Sequence, residues 1–447
     1  MKSADRDPST NWPSLNEPDD VIAAFMDSAH VVDVAGWLEQ CPKPEAARHL
    51  AALQLARRAK VFENMALAAQ SGLAQIVSPA DLAAIVTKMD ADDRADLFNH
   101  LSPKQQQSLM RGLAVEERDD INRLASYGEG TAGAIMTSDF ATLGAQMTAQ
   151  EAIAALREAA PETETIYRSY VLDENDRLIG SVRLHELILA DEDMRIGEFM
   201  DRAPKSITLD TDQEDAARMI ERYDLLALPV VDADGRLMGI VTHDDAADAM
   251  QAETTEDFQR ISTVLPFTQN MREAGIAVLY SKRIVWLALL VFGNLFSGAG
   301  IAYFEETILA YVSLVFFLPL LIDSSGNAGS QSATLMVRAL ATGDVVLKDW
   351  RDLILRECAV AAALGATMAF LVLPLGAMRA GPDVALVVGL TMFLVVIVGS
   401  LVGMSLPFLL SRLRLDPATA SGPLVTTIAD GVGVLVYFSI ATLVLSL

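Results

Sequence analysis

SGPLVTTIADGVGVLVYFSIATLVLS, residues 421 to 446, is an apolar run of membrane length with a single acid, Asp430, set inside it. An acid at mid-depth of a membrane helix costs roughly 2.5–3.5 kcal/mol on insertion scales, so its retention points to work on an ion. Four more apolar stretches precede it, at about 284 to 304, 308 to 340, 354 to 377 and 384 to 410. Each reaches the roughly 20 residues that cross a hydrocarbon core, and the pattern predicts five spans. The second is expected to be interrupted at Asp323-Ser-Ser-Gly-Asn-Ala-Gly329, because irregular backbone at that depth is tolerated where it lines a cavity. A cation path is the first reading.

Orientation follows from the basic residues. Lys282 and Arg283 precede the first span; Arg338, Lys348, Arg351 and Arg356 lie between the second and third; Arg412 and Arg414 lie between the fourth and fifth. The other side carries Arg379 beside Glu305, Glu306 and Asp383. The positive-inside rule puts the N-terminal half in the cytoplasm and the C-terminus outside.

Charge divides the 447-residue chain in the same place. Residues 1 to 256 hold 23 Lys and Arg against 47 Asp and Glu, a net charge of −24, whereas the remaining residues are nearly balanced. An acidic soluble half joined to a membrane half is implied, and nucleic acid is excluded as a natural partner. The two cysteines, Cys41 and Cys358, fall one in each half and indicate neither a disulfide framework nor a zinc site. The polar N-terminus lacks the apolar run of a secretory signal.

Within the soluble half, a disordered leader is expected over 1–18 and a helical domain over 19–130. There Val77-Ser78-Pro79 recurs as Leu101-Ser102-Pro103, each a Ser cap followed by Pro at the first helical position. The stretch 171–182, VLDENDRLIGSV, matches 230–241, VVDADGRLMGIV, at six of twelve positions. Strand, acidic turn and second strand form a β-hairpin signature. Each copy opens on a Met-containing stretch, at Met136 and at Met200, and leads into a strand and a helix such as Gln213 to Tyr223. These features resemble a tandem pair of cystathionine-β-synthase-type (CBS) domains, expected at 131–198 and 199–245. An acidic connector helix is expected over 246–275, leading to a pore domain over 276–447.

The run Gly326-Asn327-Ala-Gly329-Ser330-Gln331, followed by Ile428-Ala-Asp430-Gly431 and preceded by a helical domain and two CBS domains, resembles the MgtE family of magnesium channels from about residue 19 to 447. The resemblance implies a homodimer in the cell membrane, five spans per subunit, a plug formed by the connector helix, and a pore lined by the second and fifth spans. It assigns Asp430 as the selectivity acid and Gly326 as a backbone contact, with Asn327, Thr426 and Ser330 beside them. Ser330 stands where family members often have Asn, and Asp416 matches an acid near the inner mouth. Mg²⁺ keeps much of its water and asks for oxygen ligands, so a paired carboxylate facing a hydrated ion suits it.

Asp92 and Asp96 share a helix face at i, i+4, where like charges repel unless something neutralises them. Asp212 and Glu214 open a helix, and Asp224, Asp245, Glu253, Glu256 and Asp257 lie further on. Alone these read as solvated acidic faces; the resemblance implies that they bind regulatory Mg²⁺ and close the pore when the ion is abundant. Gly239-Ile-Val-Thr242-His-Asp244 resembles the nucleotide motif of CBS domains, with Thr242 and Asp244 as contacts, and implies ATP as an accessory ligand. The rival readings are transport of Mn²⁺ or Co²⁺ and a nucleotide-sensing regulator without transport. An enzyme is disfavoured, because the five histidines are scattered and neither a nucleophile motif nor a P-loop is present.

Overall fold

The computed structural model describes residues 12–267 and 274–445, in two compact units that divide between Ala252 and Glu253. Most of the expected leader, residues 268–273 of the connector, and Ser446 of the fifth span lie outside the described residues.

The first unit begins with short helices: α1 (Asp19–Ser28), α2 (Val31–Glu39), α3 (Lys43–Ala52), α4 (Leu55–Glu63), α5 (Leu67–Leu73), α6 (Pro79–Val86), α7 (Ala91–His100), α8 (Pro103–Gly112) and α9 (Val115–Leu124). Even-numbered helices stack on even and odd on odd, from α2–α4–α6–α8 to α3–α5–α7–α9, which makes the helical domain a solenoid. The repeated Ser-Pro pairs start helices as read. Ser78 accepts a hydrogen bond from the Asp81 amide, and Ser102 forms a capping box with Gln105, satisfying orphan amides of the first turn. Trp37, Leu38, Phe62, Ile85, Leu97 and Leu109 are buried between the two stacks.

Two three-stranded sheets follow. The first contains β1 (Phe140–Gly144), β2 (Thr165–Leu172) and β3 (Leu178–Arg183), with α10 (Ala149–Ala159), α11 (Leu184–Leu189) and α12 (Ile196–Phe199). The second contains β4 (Ile207–Thr208), β5 (Ala227–Val231) and β6 (Leu237–Thr242), with α13 (Gln213–Tyr223). In both, the first two strands are parallel and the last two antiparallel. The internal repeat is a repeat of geometry: Asp173 Oδ1 accepts from the amides of Asn175 and Arg177, as Asp232 Oδ1 does from Asp234 and Arg236. The opening stretches are exchanged. Thr137 bridges to Ile240, Asp201 bridges to Ser181, Met136 packs over Gly239 and Met200 over Gly180. Each copy is therefore completed by the leading segment of the other.

Helix α14 (His243–Ile261) follows, and the division between units falls within it. The second unit contains α15 (Ile276–Tyr303), α16 (Glu305–Ala310), α17 (Ser313–Ala341), α18 (Trp350–Ala380), α19 (Pro382–Arg412) and α20 (Gly422–Val444). Helices α17, α19 and α20 form the core around Leu314, Phe317, Val388, Met392, Val434, Tyr437 and Phe438. Helix α18 packs on α19, and α15 packs on α20 with no buried residue of its own. Among the described residues four stretches are long and apolar enough to cross a membrane: Ile276–Tyr303, Leu347–Ala380, Pro382–Arg412 and Gly422–Val444. Helix α17, expected as the second span, is not among these four, because its middle carries Asp323, Asn327, Gln331 and five Ser or Thr within 323–334.

One expectation fails in α17. No interruption exists at Asp323–Gly329; the helix runs through it, 29 residues long. The small residues are used for close packing instead. A Cβ on Gly326 would lie 2.8 Å from Thr426 Cγ2, and one on Gly329 would lie 2.7 Å from the Gly399 carbonyl oxygen. Gly399 and Gly403 of α19 meet the Ser325 and Gly329 carbonyls just as tightly. This is a small-residue seam of the kind that lets membrane helices approach, so the glycines that read as chain breaks are contact points.

Candidate cation path and acidic sensing cluster

In the second unit, α17 and α20 run antiparallel with Gly326 against Thr426. The Ser330 hydroxyl lies 3.3 Å from both the Gly422 carbonyl oxygen and the Thr426 hydroxyl. Beside this contact lies a cavity of about 470 Å³ lined by Leu290 and Asn294 of α15, Ser330 of α17, and Pro423, Thr426, Thr427 and Asp430 around α20. Asp430 Oδ1 is buried and has no hydrogen-bond partner among the described residues. A carboxylate oxygen withdrawn from water without a donor is costly, and here it borders an open, largely apolar cleft into which Asn294, Ser330, Thr426 and Thr427 also bring polar groups. Asn327 is exposed on α17 and donates to Asp323 Oδ2 at 3.0 Å. Gly326, Ser330, Thr426 and Asp430 thus come together on facing stretches of α17 and α20, whereas Asn294 carries no signal in the sequence and Asp323 reads there only as part of a chain break. Asn294 sits in an otherwise unbroken apolar run, and only the α15–α20 packing brings it to the cavity.

Asp416 caps the turn before α20, accepting from the Ala418 amide at 2.7 Å, and is ion-paired with Arg260 of α14. Glu256 pairs with the same guanidinium, and Ile261 packs against Val337, Ala418 and Ala420. The end of the connector helix therefore seats on the loop that leads into α20. Glu253 and Asp257 lie on the same stretch of helix.

In the first unit, Asp92 of α7 comes together with Asp245 of α14. Glu164, at the entry to β2, forms a group with Asp244 and Asp245 whose oxygens lie within 4.8 Å of one another. Asp92 Oδ1 and Glu164 Oε2 are buried without hydrogen-bond partners among the described residues. Burial, and then the neighbouring charges of Asp245, Asp93 and Glu164, hold the Asp92 carboxyl well above the usual carboxylate range. Burial first and Asp245 next push Glu164 to about 7; burial pushes Asp245 to about 6 against a hydrogen bond from Thr242. Uncompensated carboxylates held this close repel one another, a repulsion that a bound cation would relieve. Glu164 went unread because it lies far from Asp92 and Asp245 along the chain, at a strand entry with no motif.

A second acidic group, Glu63, Asp90 and Asp93, already holds a cation of its own. Lys60 Nζ lies 2.8 Å from Glu63 Oε1 and 2.9 Å from Asp90 Oδ2. Asp96 is exposed in the middle of α7. Asp212 is the N-cap of α13, accepting from the Glu214 amide at 2.9 Å; Glu214 pairs with Arg218 at 2.6 Å, and Asp224 is the left-handed C-cap. None of these four belongs to either acidic group. Thr242 is buried, and its hydroxyl donates to Asp245, while Asp244 is exposed beside Glu164.

Three family models match in succession: the MgtE intracellular N domain at 29–130, the CBS domain at 132–193 and 196–252, and the MgtE divalent cation transporter at 318–440. The magnesium transporter MgtE of Thermus thermophilus is 41% identical over 79% of each chain, and that of Bacillus subtilis is 31% identical over 94% of this chain and 93% of its own. The first unit is similar to a crystal structure of the cytosolic domain of the Mg²⁺ channel MgtE in complex with ATP. That match has a TM-score of 0.50 and 34% identity over 52% of this chain and 94% of that one. The order of matched domains and the length of the shared sequence agree with the architecture described above, and the chain belongs to the MgtE family of divalent cation transporters.

Proposed function

We propose that the protein carries Mg²⁺ into the cell along the axis of a homodimer, with Asp430 of each subunit facing the ion. The observation that carries this reading is the buried Asp430 oxygen, without a hydrogen-bond partner among the described residues, at an open cleft between helices that Asn294, Ser330, Thr426 and Thr427 also line. Two symmetry-related carboxylates match the charge of one divalent ion, and their spacing by hydroxyls and carbonyls leaves room for the water that Mg²⁺ gives up reluctantly. A second copy is favoured by α17, whose exposed residues include Asp323, Asn327, Gln331 and Thr334 along one face. Such a stripe is costly against lipid and is relieved by a partner or water. Helix α17 then counts as a fifth span, with the N-terminal half cytoplasmic and the C-terminus outside.

Gating follows from the acidic cluster. At high internal Mg²⁺, ions held by Asp92, Glu164, Asp244 and Asp245 join α7 to the start of α14, and the far end of α14, through Arg260 and Asp416, acts as the plug that holds the inner mouth closed. Asp96, Asp212, Glu214, Asp224, Glu253, Glu256 and Asp257 supply the surrounding negative field. At low Mg²⁺ the carboxylates repel and the closure loosens. ATP, which the structurally similar cytosolic domain binds, is an accessory ligand of the CBS pair near Thr242 and Asp244.

Flux in proteoliposomes tests both parts. Asp430→Ala is expected to abolish Mg²⁺ uptake. Asp92→Asn with Asp245→Asn is expected to leave uptake intact but insensitive to Mg²⁺ inside. Wild-type uptake in the Asp430 variant would defeat the reading.

A further inference from the structure

Asp323 is the one acid in the middle of α17, and nothing in the packing of the helix explains it: it is exposed, whereas the neighbouring Ser325 and Gly326 are buried in the seam. Its depth follows from the antiparallel contacts. Gly326 meets Thr426 and Ser330 meets Gly422, so one further turn outward along both helices sets Ile322 level with Asp430. Asp323 is then offset from Asp430 by a single residue, about 1.5 Å of helix rise. It precedes Gly326 by three positions, which turns it only about 60° from the face that meets α20. Asn327 fixes one Asp323 oxygen by donating to Oδ2 at 3.0 Å.

We propose that Asp323 is a second selectivity acid, forming with Asp430 a single belt of four carboxylates around the cation path of the dimer. This rests on the pore reading above. Two carboxylates neutralise one Mg²⁺; four leave the occupied belt negative, so it binds a hydrated divalent ion more tightly and draws in a second one behind it, as conduction through multi-site filters requires. Monovalent ions, at half the charge, gain less from the added field.

The test is uptake by full-length protein in liposomes for wild type, Asp323→Asn, Asp323→Glu and Asp430→Asn. Asp323→Asn is expected to keep transporting while its half-saturating Mg²⁺ rises roughly tenfold, the effect of weakening one charge contact by about one pKa-sized step. It should also pass Na⁺ when divalent ions are removed. Asp323→Glu should restore both properties. Unchanged half-saturation and unchanged Na⁺ exclusion in Asp323→Asn, alongside a dead Asp430→Asn, would overturn the belt and leave the pore intact; an active Asp430→Asn would instead remove the pore reading beneath it. Should Asp323→Asn not yield monodisperse protein, Asp323→Ser reads the same two quantities. Failure of both to fold would assign Asp323 to packing and overturn the proposal as well.

Discussion

Asp92, Asp93, Glu164 and Asp245 carry the clearest consequence for single residues. Burial and mutual repulsion raise all four, Asp93 to about 8, Glu164 to about 7 and Asp245 to about 6. The folded cluster binds protons more tightly than the unfolded chain, so its penalty is absent in acid, where both forms are protonated. The penalty grows as pH rises out of the ordinary carboxylate range toward about 8, and stability falls over that window. Without Mg²⁺, α7 and the start of α14 should be less protected from amide hydrogen exchange at pH 8 than at pH 6, after correction for intrinsic rates. Asp92→Asn should flatten the dependence, whereas equal protection at the two pH values would contradict the assignment. Residue type made Asp430 legible in the sequence, because an acid in an apolar run is anomalous locally; Asp92 stood out as half of an i, i+4 acidic pair, and Asp245 was singled out only through the family resemblance. Glu164 and Asn294 were not legible, since what makes them relevant is a neighbour from a distant segment.

Elements were read well where the signal was local and poorly where it was tertiary. Caps at Ser78 and Ser102 and the paired acidic turns at Asp173 and Asp232 rest on contacts within four residues, and sequence carries those. The continuity of α17 depends instead on α19 lying against it. Gly403→Ala would drive a methyl group into the Gly329 carbonyl, and is expected to reduce the yield of monodisperse protein in detergent severely. Gly298→Ala in α15 meets nothing within 4 Å and should be neutral or slightly stabilising, by up to about 1 kcal/mol. Equal behaviour of the two would count against the seam. Arg94 offers a comparable test in the first unit. Its buried guanidinium lies 3.6 Å from Asp120 of α9 and 3.4 Å from Asp139, tying the solenoid to the approach to β1. Removing one member of a buried pair costs about 3–5 kcal/mol, so Arg94→Met should lower the urea midpoint of the soluble half; an unchanged midpoint would exclude a structural role for the pair.

For the whole molecule, 24 excess negative charges in residues 1 to 256 make the soluble half responsive to cations in general, and the question is whether valence matters. Millimolar Mg²⁺ should slow proteolysis of the soluble half, while Na⁺ at matched ionic strength should not; equal protection would reduce the effect to screening. Arg260→Gln, which frees Asp416 at the mouth, should raise uptake at high internal Mg²⁺ relative to wild type.

The exchanged opening segments of the two CBS copies also govern how the chain is made. Met200 must emerge before the first sheet can close over Gly180, and Thr137 has to wait for Ile240, on the order of ten seconds later at ordinary elongation rates. The pair therefore matures as a single object only once both copies have been made, just past the midpoint of translation, and any truncation that stops between the copies releases an unfinished edge to chaperones and proteases.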